Sequence, residues 1–555
     1  MNIKLSTLMV RPLSGYLFGF ILCIVGLSRT WAAPGDLDAT FGSTEGGLLA
    51  DPGIALIDYG TSVDEFGAVL HLPDGKFLAV GDSSGANDLG EPGVIGLARL
   101  NANGSFDSTF SGDGRLIQRF ADPETNDPQP LSWFDAALQS DGKIVITGTT
   151  STSVATPEFP NWSRMRMGVT RLNADGSIDT GFGINGGVKL GFGIDTNESK
   201  AYAVAIQSDG KIVVAGDVVS ADGSNRNFAI ARFNTNGTLD ASFDGDGKLI
   251  TDFGANQDDA PSELRIQSDG KILVAGYATL AAGAARQFSV VRYNTNGSLD
   301  TTFSGDGIAT ATTGVANDLA IQSDGKIVAV GHNNGGTSQI TRDFVVVRFN
   351  TNGSLDTTFG SGGIKMDVLG LDNFANAVAL QSDGKILVSG GLQDLAQYDF
   401  LLARYTANGA LDPTFDTSSG TADGRVRTPV FYRASNPQSG ALDMLVQTDG
   451  KVVLGGWVST GVTLRGQDAV LLRYLTAEDP PAITSTPITT ATINQPYQYQ
   501  ATANGPGVTW SLVSGPAGMA IGATTGLVTW TPSAAGTSPD IAAAATAHAA
   551  CAAGA

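Results

Sequence analysis

Residues 207–217 read QSDGKIVVAGD, a turn signal followed by an apolar run that ends in glycine. Asp-Gly pairs favour tight hairpins, and a type I′ turn needs positive φ at both of its central residues. AVAIQ (203–207) therefore reads as a strand entering the turn and KIVVAG (211–216) as the strand leaving it. FAIARFN (228–234) supplies a third strand that runs into a TNG turn, and LDASFDGDGKLITDF (239–253) supplies an irregular fourth.

The same unit recurs along the chain. DGK begins at Asp74, Asp141, Asp209, Asp269, Asp324, Asp383 and Asp449, at spacings of 67, 68, 60, 55, 59 and 66. LDxxF or a near variant begins at Leu37, Phe106, Ile178, Leu239, Leu299, Leu355 and Leu411. An apolar run closing on Arg plus one apolar residue ends at Leu100, Leu172, Phe233, Tyr293, Phe349, Tyr405 and Tyr474. Four strands per repeat, seven times over, predict an all-β fold: a seven-bladed β-propeller over residues 35–476. The first repeat element is LDATF (37–41) and the last is AVLLRY (469–474), so the N-terminal strand is expected to complete the final blade and hide two sheet edges.

Composition agrees with this reading. Of 555 residues 72 are Gly, and charged residues make up only 16%. Lys4 and Arg11 precede an apolar stretch from Leu13 to Leu27, and Thr30-Trp31-Ala32 offers small residues at a cleavage site, so residues 1–33 read as a signal peptide. The apolar stretch is shorter than the ~18 residues a membrane span needs, so no stable span is expected after cleavage. The protein is expected to be exported, either secreted or at a bacterial cell surface. Removing Lys4, Arg11 and Arg29 takes the formal charge from −21 to −24, which disfavours nucleic acid. Only Cys551, in the final tail, then remains, which excludes a disulfide framework and, in the main body, a Cys-based zinc site or a thiol nucleophile. His71, His332 and His548 are the three histidines, too few for a multi-histidine metal centre.

The recurring QSDGKI[VL]VAG and [AV]R[FY]NTNG[ST]LD[TA][ST]FSGDG resemble the delta sixty repeat family of bacterial surface and secreted proteins, propellers of unknown function. The resemblance implies fold and compartment and brings no catalytic residues. The first repeat departs from the pattern with LPDGKF, and the NTNG turn is replaced by ADG at 174–176. Residues 477–537 open on a Pro pair and carry WSLVSGPAGMAI (510–521) and TGLVTWTP (525–532), which resemble Ig-like modules of bacterial surface proteins. That module is expected to be an incomplete β-sandwich, and the Ala-rich residues 538–555 a disordered tail.

Two sets of residues are candidates for a site. Six positions before each DGK aspartate stand Ala68, Asp135, Ala203, Glu263, Asp318, Ala377 and Asp443. If that strand is innermost, the acids Asp135, Glu263, Asp318 and Asp443 ring the channel mouth and could take a hard cation such as calcium, although acids solvated in a wet channel are the simpler reading. No other cofactor is implied. The second set lies in the variable connections, on the face opposite the SDG and NG turns: Trp133, Trp162, Arg164, His332, Tyr432, Arg433 and Trp457. Loops on a rigid scaffold carry function, and Trp, Tyr and Arg anchor partners or sugars. The leading expectation is a non-catalytic scaffold for an extracellular protein or glycan. A carbohydrate-active hydrolase or lyase using channel acids such as Asp135 and Asp318, and a structural envelope component, are the alternatives. QSDGK lacks the strand-loop-helix setting of a phosphate loop and reads as a turn with a solvated lysine. The GDG triplets at 112, 245 and 305 likewise read as turns.

Overall fold

The computed structural model describes residues 33–476, apart from 43–51, 60–62, 85–93, 119, 122–127, 130, 154–162, 193–197, 255–256, 334–341, 370, 395–396, 417–422, 431–437 and 460–466, and further pieces between 492 and 547. The chain divides into two compact units, one of residues 32–479 and one that contains Pro480–Ala555. Among the described residues every regular element is a strand, and no helix is long and apolar enough to cross a membrane.

The first unit is a ring of seven four-stranded antiparallel blades. Blade 3 shows the pattern: Ser199–Ile206, Ile212–Val219, Arg226–Phe233 and Lys248–Thr251 pair in that order. The innermost strands of the seven blades are Val63–His71, Leu131–Leu138, Ser199–Ile206, Ala260–Ile266, the second half of Ile308–Ile321, Asp372–Leu380 and Ser439–Val446. Each packs on the next around the ring, and the seventh packs on the first. The first half of Ile308–Ile321 is the outer strand of blade 4, so one long strand passes from blade 4 to blade 5.

The IVVAG run is continuous in apolar residues because both faces of each blade are covered. Ile212 and Val214 pack toward blade 2, whereas Val213 and Ala215 pack toward blade 4. Each of the seven seams between neighbouring blades holds its own hydrophobic cluster.

The SDG turn differs in detail from the type I′ expectation. Gln207 N–H donates to the Lys211 carbonyl and Gly210 N–H to the Gln207 carbonyl, and only the glycine has positive φ, 83° at Gly210. This is a three-residue loop closed by a left-handed glycine. The glycine that ends IVVAG has a separate cause. A Cβ on Gly216 would lie 1.8 Å from the Lys200 carbonyl oxygen, because the innermost strand bulges there.

Lysine of DGK, arginine of the third strand and aspartate of LDxxF converge on one ion cluster per blade. In blade 3, Arg232 Nε donates to Asp240 at 2.7 Å, Nη2 donates to Ser242 at 3.0 Å, and Lys211 Nζ lies 3.0 Å from the same carboxylate. The guanidinium stacks 4.8 Å over Phe243, and its Nη1 donates to the Thr295 carbonyl in the NTNG turn of blade 4. The lysine is therefore an ion-pair partner, which corrects the solvated reading. Leu239 makes only a bridge to Phe233. LDxxF is thus an aspartate-capped turn, and the outer strand proper follows it.

Closure uses the same parts, drawn from the other end of the chain. Leu37 bridges Tyr474, and the outer strand of blade 7 is Ile54–Ile57, registered as Ile54 opposite Leu472 through Ile57 opposite Ala469. Asp38 accepts from Arg473 Nε at 2.9 Å and lies 2.9 Å from Lys451 Nζ, while Arg473 Nη1 donates to the Ala102 carbonyl of blade 1.

In the second unit, Tyr497–Gln500, Leu527–Trp530 and Ala520–Ile521 form one small sheet around Tyr497, Met519 and Val528. The Ala-rich stretch, expected to lack structure from Ser538, instead contributes Ala542–Ala547 as a strand paired with Val508–Ser514. Backbone hydrogen bonds make that pairing, so the weak β-propensity of alanine does not forbid it.

Replacing Asp38 with Ala leaves Arg473 and Lys451 without their shared carboxylate and is expected to destabilise the propeller by about 3–5 kcal/mol. Asp74→Ala, at an exposed turn, is expected to cost under ~1 kcal/mol. Urea denaturation of the two variants checks the difference.

Candidate functional site: the channel and its variable mouth

The seven innermost strands enclose a central cavity of ≈ 700 Å³. Each carries a bulge at the same place, at Gly67, Phe134, Tyr202, Ser262, Asn317, Asn376 and Leu442. The residue after each bulge is the ring position: Ala68, Asp135, Ala203, Glu263, Asp318, Ala377 or Asp443.

An innermost strand has a free edge, and its amides need acceptors. The ring acids supply them. Asp135 accepts from its own neighbour Ala136 N–H at 2.7 Å and from Val204 N–H in blade 3 at 2.8 Å. Asp318 accepts likewise from Leu319 at 2.7 Å and from Val378 in blade 6 at 2.8 Å. Asp443 accepts from Met444 and from Val69 in blade 1, both at 2.7 Å. Glu263 caps Leu264 N–H at 2.8 Å. Four carboxylates thus cap the equivalent amide in all seven blades. Three ring positions, Ala68, Ala203 and Ala377, can be alanine because the preceding blade's aspartate already caps the amide that follows. Asn317 and Asn376 add donors to the Ala375 and Ala441 carbonyls of the next blades, at 2.7 and 2.8 Å.

The cation among these acids is a side chain. Arg265 pairs with Glu263 on its own strand and donates to Asp318 at 2.9 Å. Burial alone would lower this guanidinium, but Glu263, Asp318, Asp135 and Asp443 outweigh it and hold it charged. Burial pushes the Asp135 carboxyl up to about 7 and the Asp443 carboxyl up to about 6, and it raises Glu263 and Asp318 as well. No three of the four ring acids bring carboxylate oxygens within 4.8 Å of one another. Among the described residues, the group that does is Asp58, Asp64 and Asp468.

At the variable end the blades diverge. The residue after the second-strand glycine is Asp82, Thr149, Asp217, Tyr277, His332, Gly391 or Trp457 in blades 1 to 7. Tyr202 Oη donates to Asp217 at 2.7 Å, and Arg226 reaches the same carboxylate at 2.6 Å. Arg286 lies 4.2 Å over the Tyr277 ring. Arg342 lies 4.4 Å over Phe374 while its Nη2 pairs with Asp372 at 2.7 Å. Blades 1 and 3 are acidic here, and blades 4 to 7 bring arginine and aromatic groups.

The expected surface residues are placed as follows. His332 is half-buried, with Nδ1 3.5 Å from the Asn317 amide nitrogen. Burial, with Arg342 nearby, brings its imidazole down to about 4, so the ring is neutral at pH 7. Trp457 is half-buried opposite Gly440, its indole nitrogen 3.7 Å from where a Cβ on that glycine would stand. Trp133 falls in the innermost strand of blade 2 and Arg164 in the third strand of the same blade, and both side chains lie outside the described residues. Trp162, Tyr432 and Arg433 lie outside them entirely.

Family comparison assigns the repeats. Residues 72–110, 139–161, 163–182, 207–243, 267–303, 322–359 and 381–415 match a family described as "Domain of unknown function (DUF5122) beta-propeller". DUF5122 beta-propeller repeats are thus found along the ring. Residues 480–550 match the He_PIG family, described as "Putative Ig domain". No curated protein matches the chain. Among solved structures, the polysaccharide lyase Uly1 aligns at 10% identity and TM-score 0.41, over 80% of this chain and 98% of that one. The β-propeller domain of the Trilobed protease from Pyrococcus furiosus aligns at 9% identity and TM-score 0.35, over 75% and 98%. Bombyx mori GH32 β-fructofuranosidase BmSUC1 aligns at 11% and 0.29, over 76% and 91%. At these values the likenesses assign nothing to the channel of this chain.

The charge pattern sets a pH dependence. Asp135, Asp443, Asp82, Asp468 and Asp259 are raised to between about 6 and about 7, chiefly by burial. A raised carboxyl favours folding fully below its ordinary value of ~4, and that advantage is lost as pH climbs through the folded value. In the ion clusters burial alone would raise Asp38, but Lys451, Thr40 and Arg473 outweigh it and bring it down to about 2. Such clusters stabilise above pH ~4 and fail below it. The urea midpoint is expected to be higher at pH 5 than at pH 8 and to drop below pH 4. A midpoint that keeps rising to pH 8 would contradict this. Asp318→Ala, which orphans two amides and leaves Arg265 with Glu263 alone, is expected to lose roughly 2–4 kcal/mol by the same measurement.

Proposed function

We propose that this protein is an exported, non-catalytic propeller that binds an extracellular protein or glycan through its variable face. One observation carries the reading. The turn face is built from seven copies of one ion cluster, whereas equivalent positions at the other end read Asp82, Thr149, Asp217, Tyr277, His332, Gly391 and Trp457, of which Asp82 also lines the central cavity. A scaffold that repeats at one end of its blades and varies at the other supports recognition at the varied end. The channel acids favour binding over turnover, because Asp135, Asp318 and Asp443 each use both carboxylate oxygens on backbone amides.

A second reading, a carbohydrate-active hydrolase or lyase, has one point in its favour. The Asp135 carboxyl, raised to about 7 by burial, titrates where a general acid or base works best.

Glycan-array and surface-protein capture experiments with the full chain, followed by turnover assays on polysaccharides, separate the two readings. Saturable binding is expected to weaken about 10-fold or more in Trp457→Ala, with the unfolding midpoint little changed. Polysaccharide turnover abolished by Asp135→Asn would replace the binding reading with the enzymatic one.

A further inference from the structure

The seam where the ring closes holds a second acidic group, apart from the channel. Asp58 follows the N-terminal closing strand, Asp64 lies on the innermost strand of blade 1, and Asp468 lies on the third strand of blade 7. Register brings them together. Ile57 faces Ala469, which sets Asp58 across from Asp468, and Val63 bridges Gln467 in parallel, which draws Asp64 alongside. Carboxylate oxygens of the three lie within 4.8 Å of one another.

The independent sign of a ligand is what Asp468 lacks. The residue is only 6% exposed, yet its carboxylate makes no hydrogen bond or ion pair with a described residue. Its counterparts in the two preceding blades are satisfied: Asp343 accepts from Asn333 Nδ2 at 3.0 Å, and Asp399 pairs with Arg427. In blade 1, Asp82 Oδ1 is likewise buried without a hydrogen-bond partner.

We propose that Asp58, Asp64 and Asp468 bind a calcium ion that clasps the N-terminal strand to blades 1 and 7. The donor set is all oxygen, as a hard cation requires, and two ligands on opposite sides of calcium stand roughly 4.6–5.2 Å apart, against ~4.1 Å for magnesium. Three carboxylates supply three to six of the six to eight oxygens calcium takes, and water or backbone carbonyls complete the shell. The ion replaces, at this seam, the arginine that neutralises Asp399 at the previous one.

The test is a thermal melt of the full chain after EGTA treatment, with calcium chloride titrated to ~10 mM, the range that covers weak extracellular sites. Calcium is expected to raise the midpoint by about 2–4 °C at saturation, and magnesium by clearly less. Asp468→Asn removes the repulsion, so its calcium-free midpoint is expected to equal or exceed that of the wild type, with the calcium increment lost. Asp58→Asn, at an exposed position, gives the same readout should Asp468→Asn fail to fold. No calcium shift in the wild type, an equal shift with magnesium, or an increment retained in the folded variant would each overturn the proposal.

Discussion

The ring rests on one guanidinium per blade. Each third-strand arginine uses one edge on its own LDxxF aspartate, one N–H on the turn carbonyl of the next blade, and its flat face on a phenylalanine. Blade order follows from that geometry, because a guanidinium so placed joins two consecutive repeats and no others. A lysine could not replace it, having neither the fork nor the planar face. DGK lysine contributes the second positive charge that a buried aspartate needs when two cations converge on it. Hydrophobic clusters fill the seams, but they are interchangeable mixtures of Val, Ile, Leu and Phe, whereas the polar cluster is directional.

At the ring's centre the constraint is an exposed backbone edge. Seven innermost strands turn amides toward a channel, and the protein answers with carboxylates that bridge to the next strand. Arg265 then offsets the excess negative charge. The channel is thereby polar, its carboxylates engaged by backbone amides and Arg265, and the positions that differ from blade to blade lie at the opposite end from the turns.

The fold was legible in the sequence because its fixed parts are repeated. QSDGKIVVAGD, the arginine that ends the third strand and LDxxF each recur seven times, and blade number and closure follow from their order. What joined the three was not legible, since Lys211, Arg232 and Asp240 are separated in sequence and only strand pairing brings them together. The ring positions could be picked out as a column, yet their role as amide caps depends on bulges that one-letter patterns do not show. Arg265 left a readable mark: it stands alone in a column otherwise filled by Leu70, Ala137, Ala205, Ala320, Ala379 and Leu445. The group Asp58, Asp64 and Asp468 left none, because its members come from both ends of the propeller.

That last circumstance bears on how the molecule comes into being. Asp38 and Arg473 are 435 positions apart, so the N-terminal closing strand has no blade to complete until nearly the whole propeller has been synthesised. Until then the segment around Ile54–Ile57 is an unpaired apolar strand carried ahead of a growing stack of blades. Non-local pairings of this kind slow folding and prolong exposure of sheet edges. Whatever shields that strand during synthesis acts before the ring exists, and the first repeat element to emerge is the last to find its partner.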